Sequence, residues 1–278
     1  MSRKPRKDER HAQILEVLRY TPHVRIATLA SRFGVTAETI RRDLDALSDQ
    51  ELLDRAHGGA VARPMGIQPP IDEREQATVD ERRAIAHTAA RLLEPGQVVM
   101  IDAGSTTTQL AWQLAANGQA LTIITNSYPV ARAMASSASR LILCPGDFNA
   151  REGGVFGQDT TDYLTRFHAN IAFIGASGLT QEGILDVNRD AAWVKRTLIS
   201  RSERTYLLVD HTKFAQTVLE RVAPLSVLDG IVTDRAPSDA MTQRLERAGV
   251  ALHIATLEAI DSALSARASD TTACEDTA

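Results

Sequence analysis

The chain has 278 residues, 44% of them hydrophobic, and a formal net charge of −4 at pH 7; this is typical of a folded protein of about two domains and excludes a largely disordered chain. No apolar stretch approaches the roughly 20 residues of a membrane span, and the basic, polar residues 1–10 do not have the pattern of a secretory signal. Residues 1–63 hold 12 Lys and Arg against 9 Asp and Glu, and the remainder holds 19 against 26, so a small basic head on an acidic body indicates an anionic partner for the head.

The basic head predicts three helices and a hairpin. Residues 10–20 carry apolar side chains at helical spacing, and Pro22 ends this first helix. Residues 24–26 alternate as a short strand does, and residues 27–33 predict a second short helix. Gly34 ends the second helix, because glycine readily takes the left-handed conformation that a tight turn needs.

Residues 37–47 predict a third helix with Thr36 at its N-cap. Apolar residues follow Ile40 at i+4 and i+7 and face inward, so Arg42, about 200° around the helix, points outward with Glu38 beside it. The outward end carries hydroxyl and guanidinium groups, from Thr36, Thr39, Arg41 and Arg42. Two helices joined by a glycine turn, the second presenting such an end, predict a DNA-binding helix-turn-helix. Taken alone, two adjacent arginines on a helix more often form a solvated surface.

The glycine pair 58–59 predicts a hairpin turn beside the helices, a wing. The motif TIRRDL at 39–44, followed by HGGA at 57–60, resembles the DeoR family of bacterial transcriptional repressors. The resemblance implies a winged helix-turn-helix over residues 1–63 whose contacts with operator DNA come from Thr36, Thr39, Arg41, Arg42 and His57. The alternative for His57 is that it orders the hairpin. We expect Asp43 to orient an arginine or to pair within the head, and not to face DNA.

A change of pattern separates the head from the rest of the chain. Residues 64–80 hold three prolines and several charges without a clear period, which predicts a linker. From 81 to 258, helices alternate with short apolar runs, which predicts a mostly parallel sheet with helices on both faces. The predicted strands are 98–102, 121–125, 140–144, 169–175, 205–210, 230–234 and 250–255. Residues 259–278 predict a disordered tail.

The loop DAGSTTT at 102–108 joins a predicted strand to a predicted helix. Gly104 permits a tight bend, and Ser105, Thr106 and Thr107 place hydroxyl groups beside a helix N-terminus whose free N–H groups attract an anion. This arrangement holds a phosphate without a Walker lysine. An ordinary strand-to-helix turn capped by serine and threonine is the alternative for this loop in isolation.

Similar small, hydroxylic or charged residues follow four further predicted strands. They are Thr125-Asn126-Ser127, Gly175-Ala176-Ser177-Gly178, Asp210-His211-Thr212-Lys213 and Thr233-Asp234. Ligands of open parallel sheets bind at the carboxyl ends of the strands, so these residues predict one pocket. Lys195 and Lys213 are candidates to balance a phosphate or to bond a sugar oxygen, although a surface lysine is the simpler interpretation of each alone. We expect His211 to cap a loop more readily than to contact a ligand.

Residues 75–255 resemble the effector-binding domain of the same DeoR family. The motifs that carry the resemblance are DAGSTT at 102–107, TNS at 125–127, FIGASG at 173–178, VKR at 194–196 and DHTKF at 210–214. That domain is similar to sugar-phosphate isomerases of the ribose-5-phosphate type, and its usual effectors are phosphorylated sugars or related metabolites. The resemblance implies an effector site formed by Asp102, Gly104, Ser105, Thr106, Thr107, Asn126, Gly175, Ser177, Lys195, Asp210 and Lys213.

The leading hypothesis is a DNA-binding regulator, a repressor of a carbohydrate or related metabolic operon, controlled by a phosphorylated metabolite. A sugar-phosphate isomerase with an appended DNA-binding head is the alternative. Isomerisation needs a carboxylate base that reaches a carbon-bound proton, and the loop GASG at 175–178, where the related isomerases carry acidic residues, holds none. Asp102, Asp210 and Asp234 remain, but each also serves as a strand-end ligand for hydroxyl groups, so we expect no catalytic residue. A protein-interaction adaptor would leave the arginine helix and the phosphate-like loop unexplained.

Cys144 and Cys274 lie far apart without CxxC or Cys/His spacing, so we expect no disulfide framework, no zinc site, and a reducing cytoplasm. We also expect no other metal and no cofactor. One helix-turn-helix reads only a few base pairs, so we expect a homodimer or homotetramer held together by the sheet domain. Trp112 and Trp193 are expected to be packing residues on helices.

Overall fold

The computed structural model describes residues 6–21, 23–49, 53–61 and 68–256. The chain divides into two compact units, residues 1–67 and 68–278. The predicted tail at 259–278, the junction between the third helix and the wing, and residues 64–67 of the predicted linker lie outside the described residues.

The described part of the first unit contains three helices and three short strands. These are α1 Lys7–Tyr20, β1 His23–Arg25, α2 Ile26–Phe33, α3 Ala37–Asp49, β2 Asp54–Ala56 and β3 Gly59–Val61. The strands form an antiparallel sheet of order β1-β3-β2. The helices pack through fully buried apolar side chains, among them Ile14, Leu29, Ile40 and Leu44. The prediction of three helices and a hairpin, a winged helix-turn-helix, is confirmed.

Two glycines shape this unit for different reasons. Gly34 ends α2 with φ of 64°, in the left-handed region that glycine enters without steric cost. The wing turns through His57 and Gly58, and Gly59 is the first residue of β3. A Cβ on Gly59 would lie 2.1 Å from the carbonyl oxygen of Val24. The turn was predicted at residues 58–59 and lies one residue earlier, at 57–58. Gly59 belongs to β3, where a side chain would collide with the neighbouring strand.

The second unit contains the remaining helices and strands. Its helices are α4 Ile71–Gln76, α5 Val79–Ala90, α6 Ser105–Asn117, α7 Tyr128–Met134, α8 Gln158–Leu164, α9 Arg189–Ser200 and α10 Asp239–Arg247. Its strands are β4 Val98–Ile101, β5 Thr122–Thr125, β6 Arg140–Leu143, β7 Asp147–Asn149, β8 Gly154–Phe156, β9 Ala169–Ile174, β10 Gly178–Thr180, β11 Gly183–Asp186, β12 Ser202–Leu208, β13 Glu220–Ala223, β14 Gly230–Thr233 and β15 Ala251–Ile254.

Seven of these strands form one parallel sheet of order β15-β14-β12-β9-β4-β5-β6. Strand numbers rise outward in both directions from the pair β4 and β9, so this pair is the topological switch point. Met100 belongs to one buried apolar cluster and its neighbours Val99 and Ile101 to another, as alternation along a strand requires when helices cover both faces. The predicted parallel α/β sheet domain is confirmed.

The linker predicted over residues 64–80 is wrong for its described part. α4 lies within this segment, and its side chains Ile71 and Arg74 are buried. The backbone N–H of Ile71 donates to the carbonyl of Arg151 at 2.8 Å. A helix of this length is not stable by itself and depends on tertiary packing, so it leaves no clear period in the sequence.

Other short elements also escaped the sequence pattern: α8, the β7–β8 hairpin, and an antiparallel sheet of order β10-β11-β13. Trp112 and Trp193 are 46% and 51% exposed, so the expectation that they are packing residues is wrong. The ring of Trp193 lies 4.8 Å from the guanidinium carbon of Arg196, a cation–π contact at the surface.

Candidate functional site

The first turn of α3 is shaped by two threonines. Thr36 Oγ1 accepts a hydrogen bond from the backbone N–H of Thr39 at 3.1 Å, which confirms the predicted N-cap. The two hydroxyl groups lie 2.8 Å apart. Both threonines therefore hold the helix end in place, and their predicted contacts with DNA remain a prediction.

Arg42 of α3 points outward, as predicted, and Arg41 beside it is also exposed. The side chains of Arg41 and Arg42 are 54% and 80% exposed. Arg41 Nη1 lies 3.3 Å from Glu38 Oε2, and Arg42 Nε lies 3.4 Å from Glu38 Oε1. Exposed ion pairs of this kind contribute about 0–1 kcal/mol, so both guanidinium groups are available for exchange with another anion.

Asp43 is buried and pairs within the head, as predicted. Arg10 Nη2 donates to Asp43 Oδ1 at 2.9 Å, and His11 Nε2 lies 3.1 Å from the same oxygen. Burial raises the pKa of Asp43, but the hydrogen bonds from Arg10 and His11 outweigh burial and hold the pKa below its ordinary value. This buried cluster fixes α1 against α3.

Arg55 of the wing contacts α3, because its Nε lies 3.2 Å from Asp45 Oδ1. His57 is exposed at the tip of the wing. The geometry brings Arg41 and Arg42 to one end of α3 and leaves both interpretations of His57 open.

In the second unit, a cleft lies at the carboxyl ends of the strands around the switch point. Seven of the predicted effector residues line it: Gly104, Ser105, Thr106, Gly175, Ser177, Lys195 and Lys213. The other four are buried outside the lining: Asp102, Thr107, Asn126 and Asp210. A pocket is therefore present at the strand ends, as predicted, but four of the residues predicted to line it are buried behind its surface.

The helix after β4 opens its N-terminus to the cleft. Gly104 is the N-cap of α6, and no side chain in the described part of the chain caps it. Ser105 and Thr106 line the cleft, where the first N–H groups of the helix and its dipole attract an anion. The Thr107 hydroxyl is fully buried and donates to the carbonyl of Asp102 at 3.0 Å. Thr107 therefore holds the loop and does not line the cleft, contrary to the prediction.

Lys195 is buried between two carboxylates. Its Nζ lies 2.8 Å from Asp102 Oδ2 and 3.1 Å from Asp186 Oδ2. Burial lowers the pKa of Lys195, but Asp102 and Asp186 outweigh burial and raise the pKa above its ordinary value, so the ammonium stays charged. The interpretation of Lys195 as a surface lysine is wrong. Asp102 Oδ2 also accepts from the Gly175 N–H at 3.1 Å, which ties the β4 and β9 loops together.

Asp210, after β12, forms a second buried ion pair. Its Oδ2 lies 3.3 Å from Arg82 Nη2, and its Oδ1 accepts from the Thr212 N–H at 3.1 Å. Burial raises the pKa of Asp210, but Lys213, Arg82 and Thr212 together hold it below its ordinary value. The carboxylate orients its own loop and does not line the cleft, contrary to the prediction.

Two further strand-end residues also make internal contacts. Asn126 Nδ2 donates to the Val155 carbonyl at 3.0 Å, and this side chain is buried behind the cleft instead of lining it as predicted. His211 Nδ1 lies 2.7 Å from Asp234 Oδ2, so this side chain joins the loops after β12 and β14.

One wall of the cleft comes from the segment predicted to be a linker. Gln68 Nε2 donates to Glu152 Oε2 at 2.9 Å, and Arg74 Nη2 donates to the same oxygen at 2.8 Å. The Ser177 hydroxyl lies 3.1 Å from Gln68 Oε1. Arg82 Nη1 donates to the carbonyls of Arg74 and Ala77. These contacts fasten the start of the unit to the β9 loop and to the β7–β8 hairpin.

Sequence reasoning missed five polar or charged lining residues: Gln68, Arg74, Arg82, Glu152 and Asp186. For Arg82 a signal existed, because Ile85, Ala86 and Ala89 follow it at i+3, i+4 and i+7 and are buried, which places Arg82 on the inward face of α5. Arg74 follows the buried Ile71 at i+3 in the same way. An arginine on an apolar helix face is a signal for a buried charge with a partner.

Comparison with known proteins gives a family match for each of the two units. Residues 10–63 match the DeoR-like helix-turn-helix domain, and residues 77–235 match the DeoR C-terminal sensor domain. The chain belongs to the DeoR family. Its members of known sequence include a glycerol-3-phosphate regulon repressor of Escherichia coli (strain K12), 32% identical over 239 residues, which are 85% of this chain and 94% of the relative.

A second DeoR-family relative, the HTH-type transcriptional repressor GlcR of Bacillus subtilis (strain 168), is 29% identical over 247 residues, 88% of this chain and 95% of the relative. Among solved structures, ribose 5-phosphate isomerase A from Methanocaldococcus jannaschii matches with a TM-score of 0.38 and 16% identity, covering 50% of this chain and 56% of that one. The family assignment makes the chain a transcriptional regulator with a DNA-binding head. None of the described helices is long and apolar enough to cross a membrane.

Proposed function

We propose that this protein represses transcription by binding operator DNA through α3 and the wing, and that a phosphorylated sugar or related metabolite bound in the cleft controls that binding. The N-terminus of α6, which lies at the cleft wall without a side-chain cap, supports the binding of a phosphorylated ligand. A phosphate beside Ser105 and Thr106 accepts hydrogen bonds from backbone N–H groups without displacing a side-chain cap. Lys213 lines the same cleft and adds positive charge.

The rest of the cleft suits the hydroxyl or carbonyl end of such a ligand. Gln68 and Ser177 offer donors and acceptors, and Asp186 and Glu152 offer acceptors. Because hydrogen bonds already hold Gln68 and Ser177 and ion pairs hold Asp186 and Glu152, the ligand does not need to order them, and preorganisation of this kind favours affinity. The names of the glycerol-3-phosphate regulon repressors support a small phosphorylated polyol as the first compound to test.

On the DNA side, we assign operator contact to five residues of the head: Thr36, Thr39, Arg41, Arg42 and His57. The exposure of Arg41 and Arg42 supports a direct role for these two, since arginine reads guanine through bidentate hydrogen bonds. Thr36 and Thr39 act by orienting the end of α3.

Gln68 and Arg74 line the cleft and belong to the start of the second unit, directly after the first unit in the chain. Gln68 is the first residue of the second unit. Thr78, between α4 and α5, has φ of 45°, a conformation that is strained for a β-branched residue and often marks a functional site. A ligand bound against Gln68 and Arg74 favours one position of α4, and a coupling of roughly 1–3 kcal/mol changes operator affinity about 5- to 150-fold.

Two further elements complete the proposal. Useful operator specificity requires two or more heads on symmetric half-sites, so the protein acts as a homodimer or homotetramer. It binds its ligand without turnover, because Asp102 and Asp210 are engaged by Lys195 and Arg82. The isomerase alternative is not favoured, since both matched domains and the relatives are those of regulators.

The test has two stages with the full-length protein. First, thermal unfolding is measured with phosphorylated sugars and polyols, glycerol 3-phosphate among them, and with their unphosphorylated parents as matched controls. Second, an operator selected from random duplexes is titrated with and without the compound that stabilises the protein. We expect stabilisation by phosphorylated members alone and a change in operator affinity. Stabilisation that ignored the phosphate would overturn the assignment of the cleft.

A further inference from the structure

Glu38 lies beside Arg41 and Arg42, so its role below rests on the operator contact proposed above for these two arginines. Glu38 is in the first turn of α3, its side chain is 58% exposed, and its two oxygens lie 3.3 Å and 3.4 Å from the guanidinium groups of Arg41 and Arg42. Glu38 and Arg42 also line a shallow groove between α3 and the start of α1, together with Lys7. The other acidic residue of this groove, Asp43, is already bonded to Arg10 and His11.

This position makes Glu38 unfavourable for DNA in general. When Arg41 and Arg42 bind phosphates or bases, they exchange their contacts with Glu38 for contacts with the duplex. The carboxylate then lies close to a polyanion with its cationic partners withdrawn, and like charges brought together in an interface suppress binding to wrong partners. The penalty disappears only where the duplex offers a hydrogen-bond donor to the carboxylate.

The major groove offers such a donor at particular bases. Cytosine presents its N4 amino group there, and glutamate is suited to accept from it. Guanine presents acceptors only at this edge and would leave the carboxylate unpaired. A glutamate between two arginines therefore has a different preferred base from its neighbours.

We propose that Glu38 is a specificity-determining residue for operator recognition. It weakens binding to non-operator duplexes through charge repulsion and selects cytosine at one base pair of each half-site by accepting from N4. Arg41 and Arg42 supply the attraction, and Glu38 restricts it to the correct sequence.

The experiment compares the full-length protein with Glu38→Gln and with the matched control Glu16→Gln, which removes the same charge from an exposed position on α1. Preferred sequences are obtained by selection from random duplexes, and affinity for an unselected random duplex is measured across a salt series. Thermal unfolding of each variant checks that the fold is retained.

For Glu38→Gln we expect several-fold tighter binding to the random duplex, with a salt slope steeper by about 0.9 because one more arginine charge is free to replace counterions. We expect the selected base to change from cytosine to adenine, because glutamine pairs with adenine N6 and N7. The preference for cytosine should fall roughly 5- to 150-fold.

Glu16→Gln should change none of these quantities. If Glu38→Gln selected the same sequences as the unmodified protein, or if its affinity merely rose equally on all duplexes, Glu38 would be a solvated charge and the proposal would be overturned.

Discussion

The charged side chains of α3 and those of the cleft differ in burial, and the difference separates two uses of charge. On α3, Arg41 and Arg42 are 54% and 80% exposed and share one exposed carboxylate. At the cleft, the side chains of Lys195 and Asp102 are 5% and 1% exposed and are 2.8 Å apart. The exposed pairs can be exchanged at little cost, whereas the buried pairs cannot be opened without leaving a charge unpaired.

Under the proposed function, the head reads DNA with groups on which stability does not depend, and the cleft binds its ligand with backbone groups. At the N-terminus of α6, no side-chain cap occupies the backbone N–H groups. Lys195 and Arg82, in contrast, are already paired with carboxylates. Four predictions test the comparison, from the largest expected effect to the smallest.

Lys195→Met should cause the largest loss of stability. It leaves Asp102 and Asp186 buried without their common partner, and breaking a buried ion pair from one side costs about 3–5 kcal/mol. Urea unfolding of the full-length protein measures the loss. The control is Arg41→Met, which breaks an exposed pair and should cost about 0–1 kcal/mol. If the two variants lost the same unfolding free energy, the buried pair of the cleft and the exposed pair of α3 would not differ in their contribution to stability.

Asp43→Asn should destabilise the protein by roughly 1.5–3 kcal/mol at neutral pH, the contribution of hydrogen bonds to a charged group. Because the pKa of Asp43 is lowered by folding, its stabilisation is present above the unfolded pKa of about 3.9. It is lost as the pH falls through the folded pKa. The difference in unfolding free energy between the two proteins should therefore shrink below about pH 4. A difference independent of pH would show that Asp43 acts through packing and not through charge.

Ser105→Asp should abolish the response of operator binding to the phosphorylated ligand, a loss of about 1–3 kcal/mol of coupling. The new carboxylate occupies the N–H groups of α6 and repels the phosphate. Operator affinity without ligand should stay nearly unchanged. Ser136→Asp, at an exposed position, adds the same charge elsewhere in the unit and should respond normally. A normal response of Ser105→Asp would exclude the loop from the mechanism.

Arg42→Ala should have the smallest effect on stability, within about 0.5 kcal/mol, while weakening operator binding by about 1–3 kcal/mol. Titrations at several salt concentrations measure the loss. Arg247→Ala, an exposed arginine of α10, is the control and should leave operator binding unchanged. Operator affinity and salt dependence equal to those of the control would contradict the role of Arg42.

Much of the head was predictable, because its determinants lie close together in sequence. The N-cap at Thr36, the glycine turn at Gly34 and the apolar spacing from Ile40 act over one or two helical turns. The same holds for the loop at 102–108, where a glycine is followed by the hydroxylic residues that begin a helix. The helix α4 was missed because its stability depends on packing against distant residues such as Arg151.

The sequence by itself determined the type of each unit and the end of the sheet at which the cleft lies, since periodicity and strand-end composition are local properties. Only the tertiary structure decided which polar groups face the cleft. Arg82 and Asp210 are 128 residues apart in the chain, and Gln68 and Ser177 are 109 apart. A parallel sheet brings such residues together because each crossover returns the chain to the same edge. Which of them is buried depends on what packs above it, and residue spacing does not encode that.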